Sequence, residues 1–200
     1  MTSVALSLAS MQLAALCALF TALSYEVDLW RMVKSRRRKV LEANSLGALI
    51  SVPWLLIALA LVCAALWLPV SAGLAVAGFY LLLMGWLTGL GLAQLYKIIS
   101  FLTWLKTYGS LMGRRDVPTV QDLVRERHSL SLMIGYYLAV FGGALALGLG
   151  LTLLFRVAAG VQLLMVIGLV LEFIRARRLF YVPEHLRVRA GHSHQQLQST

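Results

Sequence analysis

Glu172 and Lys97 stand at the edges of long apolar stretches, where a carboxylate or an ammonium could do chemistry inside a membrane. An ionisable group held at bilayer depth serves a proton relay, a counter-ion or an ion path, because its burial costs several kcal/mol. Their surroundings point to a plainer role. Glu172 lies about one turn from the end of its stretch, and Arg175 follows three residues later, a spacing that places both on one helix face. Lys97 has a stem long enough to carry its charge to the headgroups. Gln94, Gln162 and Thr88 are the remaining polar groups near the stretches, suited to inter-helix hydrogen bonds of ~0.6 kcal/mol each. His128, His185, His192 and His194 all lie outside the apolar cores. The pair His192 and His194 lacks the further ligands a metal needs, and no membrane-embedded histidine pair exists to hold a haem. Cys17 and Cys63 fall within apolar stretches without a C-x-x-C pattern and read as small packing residues. The residues therefore predict no catalytic set, no metal site and no cofactor.

The elements that hold these residues are long. Sixty per cent of the 200 residues are hydrophobic and only 13% are charged, with a mean hydropathy of +0.81. Soluble domains carry about a quarter charged residues. A helix needs roughly 20 apolar residues to cross a ~30 Å hydrocarbon core. Five segments qualify: Val4–Ser24, Gly47–Leu68, Ala72–Leu95, Leu130–Phe155 and Val157–Ile174. Backbone polar groups in lipid must be satisfied within the segment, and the runs are continuous instead of alternating. Helices, not barrel strands, are thus expected. The expected fold is an all-α, polytopic transmembrane helix bundle of five spans.

Seventeen of the 18 Lys and Arg residues fall on one side of these spans, Arg156 being the exception. Such an excess marks cytoplasmic segments and attracts anionic headgroups. The N-terminus is then expected outside and the C-terminus in the cytoplasm, in a bacterial inner membrane. The net charge of +10 is explained the same way, and no nucleic-acid-reading motif accompanies it. Met1-Thr2-Ser3 carries no basic residue, so the first span reads as a retained helix and not a cleaved signal. Leu29, Met32 and Val33 fall at helical spacing, so it is expected to run on into the headgroup zone, with Trp30 as an anchor. Pro53 is placed in the first two turns of span two, where it does little harm. The third stretch runs on past Leu95 with Lys97 and Lys106 embedded in it. A bend near Lys97 is expected, with the remainder lying in the interface, anchored by Lys97, Trp104 and Lys106. Thr119 to Asp122 reads as a helix cap, with Leu123 and Val124 facing the membrane surface. A turn around Arg156 joins the last two spans. Residues 1–178 form the membrane domain, and 179–200 a polar, disordered tail.

Small residues recur at packing intervals. Gly85, Gly89 and Ala93 form one ladder, and Gly142, Ala146 and Gly150 another. Such faces let helix backbones approach closely, either inside the bundle or against a partner subunit or second copy.

The run Gly85-Trp86-Leu87, Gly91, Leu95-Tyr96-Lys97-Ile98, Phe101-Leu102 and Trp104 resembles the later half of bacterial polytopic proteins distantly related to haem-copper oxidase subunit I. Val117-Pro118 through Asp122-Leu123, and the loop from Asp28 to Arg36-Arg37-Arg38-Lys39, are similar to their loops. Two positions depart from the pattern. Ser100 stands where the family has proline, and Gly78 and Phe79 occupy the region where a membrane histidine is expected. The resemblance implies a shortened, metal-free relative covering about half of such a protein.

Three functions are consistent with these features. The first is a non-catalytic accessory or scaffold subunit of a membrane complex, respiratory or metal-handling. The second is a subunit of a small-molecule or ion transporter. The third, following the resemblance, is a haem- or copper-binding protein.

Overall fold

Apolar runs with no polar partner outside the chain close their own backbone bonds, and the computed structural model is helical accordingly. It describes residues 2–35, 43–67, 72–111 and 117–182. The basic run Arg36–Lys39, residues 68–71, the segment 112–116, and the residues from Pro183 on, with His185, His192 and His194, lie outside the described residues. Helix α1 spans Thr2–Lys34 and α2 Ala43–Trp67. Helix α3, Ala72–Tyr80, passes through a π-helical run, Leu81–Thr88, into α4, Gly89–Tyr108. A short 3₁₀ turn at Val120–Leu123 precedes α5, Glu126–Gly148, and α6, Thr152–Arg177. Five of these helical units are long and apolar enough to cross a membrane. The protein is a multi-pass transmembrane helical bundle.

The element boundaries differ from the sequence expectation in three places, each for a local reason. Helix α2 begins at Ala43, so Pro53 sits in the helix interior and not in its first turns. The last two spans are joined at Leu149–Leu151, not around Arg156, which lies in α6. Gly150 makes that turn. Its φ is +71°, and Leu151 N–H donates to Ala146 C=O at 2.8 Å while Gly150 N–H donates to Leu147 C=O at 3.2 Å. These two bonds are the Schellman closure, for which a residue without Cβ is best suited. The third difference is the absence of a break at Lys97. Helix α4 continues through it, and the departure from α geometry lies earlier, at Leu81–Thr88. Ser100, standing where a proline would remove a donor, keeps its N–H and also donates its hydroxyl to Tyr96 C=O at 2.8 Å. The unit Ala72–Leu111 is 40 residues long, or about 60 Å at 1.5 Å per residue. That is about twice the hydrocarbon thickness.

The π-helical run widens the turn and leaves carbonyls without their usual donors. Side chains supply them. Thr88 Oγ1 donates to Leu83 C=O at 2.8 Å, and Tyr136 of α5 donates its hydroxyl to Met84 C=O at 2.6 Å. Next to it, Tyr137 donates to Gly47 C=O of α2 at 3.0 Å. Two adjacent tyrosines thus tie α5 to two different helices. Toward the other end of the bundle Tyr80 donates to Gln162 of α6 at 2.6 Å. The main core gathers Leu81, Leu92, Met133, Val140, Leu169 and Phe173 around these rings. Helices α2 to α6 form this core, while α1 packs along α2 and remains mostly exposed.

Candidate functional site

Polar side chains concentrate at the basic end of the bundle, where α4, α5, α6 and the segment after α6 meet. Glu172 is the node. It is 3% exposed, its Oε1 accepts from Arg175 Nη1 at 2.6 Å, and its Oε2 accepts from the Tyr181 hydroxyl at 2.8 Å. His128 Nε2 lies 3.5 Å from the same Oε1. The Arg125 guanidinium sits over the Tyr181 ring, 5.6 Å from its centroid. The i, i+3 pairing of Glu172 with Arg175 follows from their spacing; Tyr181 and His128 reach the carboxylate only through the fold. Burial raises the Tyr181 pKa above its usual 10.0. The Glu172 hydrogen bond adds to that rise, and Arg175 opposes it.

Tyr181 arrives there because the chain reverses immediately after α6. Leu179 adopts φ 54°, Phe180 N–H donates to Arg175 C=O at 3.1 Å, and Leu179 N–H donates to Ala176 C=O at 3.1 Å. A left-handed leucine costs about 1–2 kcal/mol. Packing offsets it: Leu179 rests against a second, smaller core of Trp104, Tyr108, Leu123 and Val182. Residues 179–182 therefore pack against the folded body. In the same core the Trp104 indole N–H donates to Pro118 C=O at 2.6 Å. Trp104 is 9% exposed and Leu123 fully buried, so both turn inward and neither faces the membrane surface as expected. Thr119 N–H donates to Asp122 Oδ2 at 2.8 Å, which closes the cap read from their spacing.

Two cavities flank this end of α4. One of about 390 Å3 is lined by Asn44, Tyr96, Lys97, Phe101, Val124 and Glu126 among others. The second, of about 540 Å3, opens between α1, α2 and α4 and is lined by Leu29, Met32, Asn44, Leu90, Gln94 and Lys97 among others. Asn44 and Lys97 border both. Tyr96 is 5% exposed and Ser129 1%; their hydroxyls lie side by side, and neither completes a hydrogen bond of good geometry among the described residues. Neither Lys97 nor Glu126 is in an ion pair among the described residues.

The chain matches no protein-family model, no curated protein and no solved structure. Its site must be read from its own residues.

The small-residue ladders divide. A Cβ on Gly85 would meet Trp54 of α2 at 3.0 Å, and one on Gly89 would meet the Tyr137 hydroxyl at 2.6 Å. Ala93 is fully buried, so this first ladder packs inside the bundle. The second is no continuous face. Ala146 is fully buried, Gly142 has nothing within 4 Å of its Cβ position, and Gly150 has left the helix to make the turn. Trp30 and Lys106 are exposed at the basic end, and Lys97 lies on the cavity rims. Among the described residues no group of three His, Cys, Asp or Glu is arranged for a metal ion.

Sequence reading passed over Asn44, Ser129, Glu126 and Tyr181. Each is an ordinary polar residue near a helix end, where it needs no explanation. What distinguishes them is proximity across long sequence separations, which local spacing does not carry.

Proposed function

We propose that this is a non-catalytic subunit of a membrane assembly, a scaffold or accessory chain in a bacterial inner membrane with its basic end in the cytoplasm. The observation that supports this reading is the 540 Å3 cleft between α1 and the α2–α4 pair. Helix α1 packs chiefly along α2, and the cleft between it, α2 and α4 has both apolar and polar lining residues. A helix of another subunit fits such a space. Packing must then supply the association, because lipid gives no hydrophobic drive between helices. The resemblance to proteins distantly related to haem-copper oxidase subunit I is in keeping with a respiratory or metal-handling assembly. A photo-crosslinker at Leu29 or Met32, with purification in mild detergent, tests the proposal. A discrete adduct with a second polypeptide, competed away by Leu90→Trp filling the cleft, is expected. Adducts with lipid alone would overturn it.

A transporter subunit is the second reading. Asn44 and Lys97 border both cavities, which gives the two a shared polar wall for a solute. Substrate-dependent flux in reconstituted vesicles, lost in Lys97→Met, would favour it over the scaffold.

A further inference from the structure

We infer that the 390 Å3 cavity between α4 and the start of α5 binds a phosphoethanolamine group, supplied by the headgroup of a primary-amine phospholipid at the basic end of the bundle. Its size is within the range of small-molecule sites, ~300–1,000 Å3. Its walls combine two kinds of surface. Phe101, Val120 and Val124 are apolar, while Asn44, Tyr96, Lys97, Gln121 and Glu126 are polar. That division suits an amphiphile with its head inward and its chains along the exposed side of α4.

The charges choose the head. Lys97 and Glu126 border one cavity without pairing to each other, so it offers a cation to a phosphate and a carboxylate to an ammonium. A purely anionic headgroup would meet Glu126 unfavourably. A trimethylated ammonium has no N–H to donate, whereas a primary one has three, as a lysine does. A hydroxyl can accept such a bond. The Tyr96 hydroxyl is buried beside that of Ser129, and neither completes a hydrogen bond of good geometry among the described residues. A buried hydroxyl left unmatched costs about 1–3 kcal/mol. Native proteins rarely keep such groups without a water, ion or ligand to satisfy them.

The full chain, purified in a micelle with equimolar phosphatidylethanolamine and phosphatidylcholine, provides the test by native mass spectrometry. Retention of the primary-amine lipid over the trimethylated one by about tenfold or more is expected. Glu126→Gln should bring the ratio to within twofold, and Gln94→Ala, in the other cleft, should leave it unchanged. Tyr96→Phe should also reduce the ratio while leaving the lipid-free protein as stable as before or more so, since it removes the orphaned hydroxyl. This second variant keeps the test decisive should Glu126→Gln fail to fold. Soluble phosphoethanolamine is added to protein in phosphatidylcholine nanodiscs as a separate arm. A thermal shift there that Glu126→Gln abolishes would confirm the recognition and assign it a soluble source. Equal retention of both lipids by the unaltered chain with no such shift, or a preference that survives both Glu126→Gln and Tyr96→Phe, would overturn the inference.

Discussion

The hydroxyl of Tyr136 donates to the main-chain carbonyl of Met84 at 2.6 Å, from one membrane helix to the widened turn of another. An α-helical Met84 would have its carbonyl taken by its own helix. Here a tyrosine on α5 completes the π-helical run, so the irregular turn and the packing of α5 depend on each other. Tyr136→Phe keeps the ring and removes the donor. A mean inter-helix bond in membranes is worth ~0.6 kcal/mol, whereas an orphaned buried acceptor costs about 1–3 kcal/mol. The second figure is the one to expect of a carbonyl that loses its side-chain donor inside the bundle. The thermal midpoint should fall by about 2–12 °C at 2–4 °C per kcal/mol. An unchanged midpoint would show that the helix relaxes to satisfy Met84 itself.

Three glycines should respond differently to alanine. At Gly89 the new methyl would meet the Tyr137 hydroxyl at 2.6 Å, and Tyr137 is held by Gly47, so a loss of about 1–3 kcal/mol is expected. At Gly150 the φ of +71° makes alanine strained by about 1 kcal/mol. At Gly142 nothing stands in the way, and alanine should gain about 0.5–1 kcal/mol through helix propensity. Thermal denaturation of the three variants in one detergent checks the order.

Arg175→Met should be more damaging than Glu172→Gln. The first leaves a buried carboxylate with fewer partners, at about 3–5 kcal/mol for a fully buried pair. Arg175 is half exposed, so water takes over part of its role and the loss falls short of that of a fully buried pair. Adding Glu172→Gln to Arg175→Met should recover most of that loss. Additive losses in the double-mutant cycle would show that the two side chains do not interact.

Tyr181 gives this end of the protein a dependence on high pH. The neutral phenol is the donor to Glu172, and its folded pKa lies above the unfolded value near 10.0. The folded state therefore holds the proton more tightly. The contribution is complete below pH ~10 and declines as pH rises through the raised folded value. The stability difference between the unaltered chain and Tyr181→Phe should be constant from neutrality to about pH 9.5 and shrink above pH 10. Tyrosinate absorbance during the titration identifies the group. A gap that narrows near neutrality instead would point to a different titrating group.

The orientation is open to a direct check. With 17 of 18 basic residues on one side, reporters fused after Thr200 and within Leu68–Ser71 should report opposite compartments, the former cytoplasmic. The same compartment for both would contradict the five-span topology.

Hydropathy was enough to read the number of spans, because lipid solvates nothing polar and each crossing must be continuous. It located their ends less well. The apolar run continues across Gly150 without a polar interruption, so the turn there is invisible to composition and depends on a backbone angle. The length of the third stretch suggested a bend near Lys97, yet α4 runs on without a break, and Ser100 keeps the backbone donor that a proline there would remove. Trp104 and Leu123 looked like membrane-surface residues since each lies among basic neighbours. They meet Val182 from a distant part of the chain, and that encounter buries them. The pairing of Glu172 with Arg175 was legible because it is local, and the approach of Tyr181 was not.

The π-helical run also sets a rule for comparing this chain with any other. Each i→i+5 bond takes one residue more per turn than the α ladder. Residues before Leu81 and after Thr88 therefore follow separate phases, offset by about 100° for each inserted residue. A homologue with an unbroken α-helix here would align correctly only with a gap inside 81–88, and a deletion in that run would swing Tyr96 and Trp104 away from the partners they now face.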